Sequence, residues 1–121
     1  MLKGDFFTIS SKQKENNSYK IMLELNAMHT IFEGHFPGQP VVPGACMLQM
    51  VKEVTEIILD KKVQLTKADN LKFLQLINPN EHGTLEMNLT FNLSEDGIAH
   101  VSANLSNGSS VCFKFSGSFQ C

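Results

Sequence analysis

The 121-residue sequence contains no arginine; all ten of its basic residues are lysine. With no guanidinium groups to read phosphates and base edges, and a formal net charge of −2, it has no nucleic-acid-binding footprint. An acidic protein partner stays open, because a local lysine cluster is enough to attract one. No apolar run reaches the length of about eighteen residues that a membrane helix needs, and no secretory signal pattern opens the chain. The expectation is therefore a cytoplasmic protein that does not enter a membrane. Cysteine is scarce: Cys46, Cys112 and Cys121 form an odd set without metal-ligand spacing, as expected of reduced thiols. Cys46, beside a predicted helix start, reads either as a thiol of lowered pKa or, more plainly, as a small core residue. The four histidines have no paired spacing, so neither a metal nor a cofactor is implied. Repeats, linkers and a second domain are lacking too. With 42% hydrophobic and 18% charged residues, residues 1–121 read as one globular domain, small enough to gain from dimerisation.

What the sequence does have is concentrated in Ile31–Gln49, which carries three prolines, three glycines and His35. Proline fixes φ and glycine opens conformations closed to other residues, so this segment reads as a stiff loop. Phe36, Gln39 and Val42 precede prolines and are expected to be non-helical. Pro43 suits the first helical turn, where its missing N–H costs nothing. Beyond it, Met47, Leu48, Met50, Val51, Val54, Ile57 and Ile58 recur at helical spacing, opposite a stripe of Gln49, Glu53, Glu56 and Asp60. The prediction is a helix over about 43–60, with Lys61 and Lys62 complementing its C-terminal dipole.

The other segments read as strands. Residues 1–17 give a short strand or helix and then a polar loop from Ser10 to Asn17. Tyr19–Ala27 alternates, with Ile21, Leu23 and Leu25 on one face, and His29 at its end reads as a solvated loop residue. Four more runs follow: Leu71–Ile77, Thr84–Leu93, Ile98–Leu105 and Val111–Phe119. Ser94-Glu95-Asp96-Gly97 and Ser106-Asn107-Gly108 mark hairpins between the last three. One strand, a helix and an antiparallel meander make an α+β layer pair.

His35-Phe36-Pro37-Gly38-Gln39-Pro40-Val41-Val42-Pro43-Gly44 resembles the signature of the bacterial (3R)-hydroxyacyl-acyl carrier protein (ACP) dehydratases of fatty-acid synthesis. Lys72-Phe73 and Asn78-Pro79-Asn80-Glu81 resemble that family's following strand and turn. The resemblance implies a hot-dog fold, a long central helix wrapped by an antiparallel sheet. It also implies removal of water from a 3-hydroxyacyl thioester on ACP or CoA to give the trans-2-enoyl thioester, in fatty-acid or related polyene or polyketide synthesis.

Such a dehydration needs a base at C2, an acid at the leaving hydroxyl and donors for the enolate-like oxygen. His35 fits the base, because imidazole titrates near neutral pH. The N–H groups of Gly44 and Ala45 fit the oxygen site. By resemblance the Val41 carbonyl orients the His35 ring, and Pro43 belongs to the same substrate-binding loop. Phe32, Phe36, Met47, Met50 and Phe73 are candidates for the acyl wall, and equally for ordinary core. Where the family carries a carboxylate, fourteen residues after the histidine, this chain has Gln49, and an amide cannot deliver a proton at neutral pH. His35 itself, Glu53 through a water, or Glu33 turned inward would have to supply it. Both glutamates otherwise read as solvated surface charges. The alternatives are a non-catalytic acyl-thioester-binding subunit and an acyl thioesterase, since one scaffold hosts several chemistries. The resemblance further implies a channel between two subunits of a homodimer or trimer of dimers. Lys61, Lys62, Lys67 and Lys72 are the cations available to dock a carrier.

Overall fold

The computed structural model describes residues 2–34 and 40–121. In chain order the elements are β1 (Phe7–Glu15), β2 (Ser18–Leu25), α1 (Ile31–Gly34), α2 (Gly44–Leu59), β3 (Gln64–Phe73), β4 (Thr84–Leu93), β5 (Ile98–Ser106) and β6 (Val111–Gln120). The strands form one antiparallel sheet in the order β1-β2-β4-β5-β6-β3. Long helix and antiparallel sheet share one core, as the hot-dog expectation requires.

That core follows from two periodicities. Met47, Met50, Val51 and Val54, at helical spacing, bury one side of α2. Alternate residues of the sheet (Ile21, Leu23, Leu85, Met87, Leu89, Val101, Phe113) bury one face. Each such side chain contributes about 1.5–3 kcal/mol when fully removed from water. The helix stops at Asp60, whose left-handed φ of 54° directs its N–H back to the Glu56 carbonyl. Lys61 also bonds Glu56, at 3.2 Å.

Two expectations fail at the sheet edges. Ser10–Glu15, read as loop, continues β1, which pairs with β2 through a turn at Asn16 (φ 57°). The strand expected over Leu71–Ile77 instead runs from Gln64 to Phe73. Both are edge strands exposed over most of their length. Such strands are held by backbone pairing and show no apolar alternation to read. The run from Leu71 to Ile77 mimicked a strand because two structures share it. After Phe73 the chain bends, Leu74 and Gln75 donate to the Cys112 carbonyl, and Ile77 enters the core. The β3–β6 register slips twice, and a Cβ at Gly117 would lie 2.3 Å from the Lys67 carbonyl oxygen. Only glycine allows that approach.

The one-turn helix α1 has no sequence signal of its own. Its start is made by His29, whose Nδ1 accepts the Ile31 N–H at 3.1 Å while Nε2 faces Asp5 Oδ2 at 3.1 Å. The ring also meets Phe6 edge-on, at 5.4 Å between centroids. His29 is thus a packed structural residue and not the solvated one expected.

Candidate active site

The site is built on the start of α2. Pro43 is its N-cap, extended at φ −62° and ψ 145°, with no side-chain capping bond. The N–H groups of Cys46 and Met47 turn back to the Pro43 carbonyl at 3.0 and 3.3 Å. Those of Gly44 and Ala45 have no carbonyl within the helix to meet, so two donors point out at the positive end of the dipole. The approach to this turn is pinned by the Val42 N–H on the Ile77 carbonyl at 2.9 Å. Phe73 leaves β3 to cover it: a Cβ on Gly44 would lie 2.8 Å from Phe73 Cε1, and the Phe73 ring stacks on Phe113 at 5.1 Å. Gly44 therefore combines an N–H that meets no acceptor among the described residues with room for an aromatic ring.

Gln49 lies one turn past Ala45 on the same stripe, half-buried. Its Nε2 donates to Glu53 Oε2 at 2.8 Å. Glu53 is only 1% exposed, so the reading of it as a solvated surface charge is wrong. The N–H of Leu2 reaches both carboxylate oxygens at 3.0 and 2.8 Å, and that of Lys3 reaches Oε1 at 2.8 Å. Burial by itself pushes this carboxyl up. The Leu2 N–H, the Gln49 amide and the Lys3 N–H outweigh that and hold it below the usual carboxylate range. A carboxylate held ionised in this way has no proton to give near neutral pH, so Glu53 does not supply the acid. The i, i+4 spacing of Gln49 and Glu53 was legible in advance. The two backbone donors were not, because Leu2 and Lys3 are 51 and 50 residues from Glu53 in sequence and donate through main chain.

Glu53 also makes stability depend on pH. Its folded pKa lies below the unfolded value of about 4.3, so its contribution is complete above that value and is lost as pH falls through the folded one. The expected outcome is a melting-temperature gap between wild type and Glu53→Gln that is constant at neutral pH and closes below about pH 4, measured by circular dichroism.

The other candidates are distributed unevenly. His35 and Phe36 lie outside the described residues. Glu33 is exposed on α1, and Val41 and Pro43 are half-buried. Phe32, Met47 and Met50 are core residues, Phe32 lying 5.5 Å from the Phe6 ring. Cys46 is buried, which pushes its thiol up, so the small-core reading holds for it and the activated-thiol reading does not. Of the four lysines, Lys61 and Lys62 sit beyond the far end of α2, about 24 Å from Gly44. Lys67 faces Asp69 at 3.2 Å. Lys72, beside Phe73, pairs in register with Lys114. A groove of about 600 Å³ crosses the sheet past Lys20, Asn88, Asn104 and Lys114, and no α2 residue lines it.

The family model for ApeI-like proteins, described as ApeI dehydratase, matches residues 11–109. A 3-hydroxyacyl-[acyl-carrier-protein] dehydratase FabZ from Oenococcus oeni is 31% identical over 90 residues, 67% of this chain and 63% of its own length. The FabZ of Legionella pneumophila subsp. pneumophila is 30% identical over 87 residues, covering 59% and 58%. The chain thus matches less than two thirds of the length of these curated relatives. Among solved structures, the dehydratase heterocomplex ApeI:P from Xenorhabdus doucetiae superposes with a TM-score of 0.73 at 18% identity, over 93% of this chain and 96% of that one. A phenylacetic acid degradation-related protein from Ralstonia eutropha gives 0.65 at 14% identity, over 95% and 84%. These last two likenesses establish the hot-dog fold. With its motif, fold and family match in agreement, the chain belongs to the ApeI-like dehydratase family.

Proposed function

We propose that this protein removes water from a 3-hydroxyacyl thioester carried on ACP, giving the trans-2-enoyl thioester. The observation that carries this reading is the first turn of α2, which has no side-chain cap: Gly44 and Ala45 offer two N–H donors there, and the Phe73 ring lies against Gly44. An enolate-like oxygen is the charge such a pair stabilises, and one donor of this kind is worth about 10²–10³-fold in rate. His35, in the loop leading to that turn, takes the C2 proton. Because Gln49 cannot act as an acid and Glu53 is held ionised, the same imidazolium returns the proton to the leaving 3-hydroxyl. Glu33 stays at the surface. The test is purified protein with 3-hydroxyacyl-ACP, followed by mass spectrometry of the 2-enoyl product. Turnover in wild type that falls by about 10²–10⁴-fold in His35→Ala supports the reading. Turnover unchanged in that variant would refute it.

The working unit in this proposal is a homodimer seamed along β3. The outer edge of β3 pairs with no strand among the described residues; Leu71 and Phe73 are exposed on β3, and Leu74 and Leu76 just past its end, Leu76 by 76%. An unpaired edge flanked by apolar side chains is a template for another strand. A second copy supplies one of the same length, antiparallel, across a two-fold axis. Phe73 belongs both to this edge and to the cover of Gly44, so the seam adjoins the site. Replacing Leu74 and Leu76 together by glutamate is expected to weaken the dimer by at least about 10⁴-fold, from roughly 1.5–3 kcal/mol for each of the four leucines that a two-fold seam buries. Sedimentation would register this, and turnover should fall with it. Carrier docking is assigned to Lys72 of β3 with Lys114 opposite it on β6, since Lys67 of the same strand already faces Asp69.

A further inference from the structure

We infer that Glu53 is a positioning residue: it fixes the Gln49 amide with its NH2 group inward and its carbonyl oxygen outward, so that the site selects a hydroxyl over a ketone at C3 of the acyl chain. The inference rests on the acyl-thioester reading above and adds a specificity device to it.

The orientation of a glutamine amide is usually open to exchange of its oxygen and nitrogen. Here chemistry removes the choice. A carboxylate that accepts the N–H groups of Leu2 and Lys3 can only accept from Gln49 as well, so the group 2.8 Å away has to be Nε2. Glu53 cannot turn aside to release it, because its two oxygens are held from a second direction by main chain. Among the described residues no donor meets Gln49 Oε1, and no side-chain nitrogen or oxygen there is both buried and unpaired. The oxygen is thus the outward end of the amide, about one helical turn from the Gly44 and Ala45 donors. With the thioester oxygen on those donors, carbon 3 of the acyl chain comes beside Gln49. A hydroxyl at that carbon donates to Oε1. A ketone, which has only lone pairs, faces an acceptor and is left unpaired, and mismatches of this kind carry strong discrimination. The amide therefore holds the leaving group in place although it cannot protonate it.

The test uses the full chain and two probes that bind without eliminating, the pantetheine amides of 3-hydroxybutyric and 3-oxobutyric acid. Their dissociation constants are measured for wild type, Gln49→Ala and Glu53→Gln. Wild type is expected to prefer the hydroxy compound by about tenfold, the value of one well-made hydrogen bond. Gln49→Ala should bring the ratio close to one. In Glu53→Gln the new oxygen keeps Leu2 and Lys3, and the new NH2 group faces Gln49. The Gln49 amide then turns its own NH2 group outward, and the ratio reverses toward the ketone. A merely structural role for Glu53 would lower both affinities together and leave the ratio alone. If Glu53→Gln does not fold, wild type decides by NMR: a through-hydrogen-bond coupling between Gln49 Nε2 and Glu53 Cδ supports the inference, and its absence overturns it. A wild-type ratio near one, or a ratio unmoved in folded Glu53→Gln, overturns the inference while leaving the dehydratase reading intact. Failure of wild type to bind either amide overturns both.

Discussion

Replacing Gln49 by glutamate is expected to raise the rate of 3-hydroxyacyl dehydration by about 10²–10⁴-fold, the usual worth of a positioned general acid. That gain corresponds to roughly 2.7–5.5 kcal/mol off the barrier. The reason lies in the neighbour. Glu53 Oε2 sits 2.8 Å from the atom that the new carboxyl oxygen replaces, and two carboxyls at that distance cannot both ionise. Glu53 keeps its negative charge because Leu2 and Lys3 donate to it. The proton therefore settles on residue 49, whose pKa rises toward neutrality, where a catalytic acid works best. The sign of the pH dependence follows: an acid has to be protonated, so the gain is present below the raised pKa and fades as pH climbs through it. The pair titrates as a unit, so the profile reports the pair and neither residue alone. Rates of enoyl product formation for wild type and Gln49→Glu across pH 5–9 would check this. A Gln49→Glu rate at or below wild type at every pH would show that the leaving hydroxyl does not approach this position.

The second large effect is on stability. Glu53→Ala removes a 1%-exposed carboxylate and strands the N–H groups of Leu2 and Lys3 and the Gln49 amide. An unpaired buried donor costs about 1–3 kcal/mol. Leu2 and Lys3 lie close enough to solvent to recover part of that, so a net loss of about 2–4 kcal/mol is expected, with a small cavity contributing. Against a usual total of about 5–15 kcal/mol this is a large share. Urea denaturation should show the midpoint falling with the slope unchanged. A loss below about 0.5 kcal/mol, the range of ordinary surface substitutions, would mean the carboxylate is not buried in solution.

The two effects share one construction: the chain's first described residues, Leu2 and Lys3, hold a charge that in turn holds the Gln49 amide. None of it is visible at the level of motif. The signature from His35 to Gly44 pointed to the fold and the family because a run so dense in proline and glycine, ending at a helix start, is specific as a pattern of residue types. Helix α2 and the strands β2, β4, β5 and β6 were legible because each buries one face, and a half-buried element writes its period into its residues. Edge strands β1 and β3 are exposed over most of their length, so nothing in their apolar pattern separates them from loop, and that pattern starts β3 several residues late. Turn α1 rests on a His29 acceptor and left no period at all.

The sequence by itself determined the local chemistry: which residue types stand before the helix, that an amide, Gln49, stands where the resemblance expects an acid, and that Glu53 follows it by four. Only the tertiary structure decided what that chemistry means. Whether Glu53 is a solvated charge or a buried one depends on what covers it, and the cover comes from main-chain N–H groups some fifty residues away. Every non-proline residue carries such a donor, so its use at one place is encoded by the path of the chain and not by the identity of any residue.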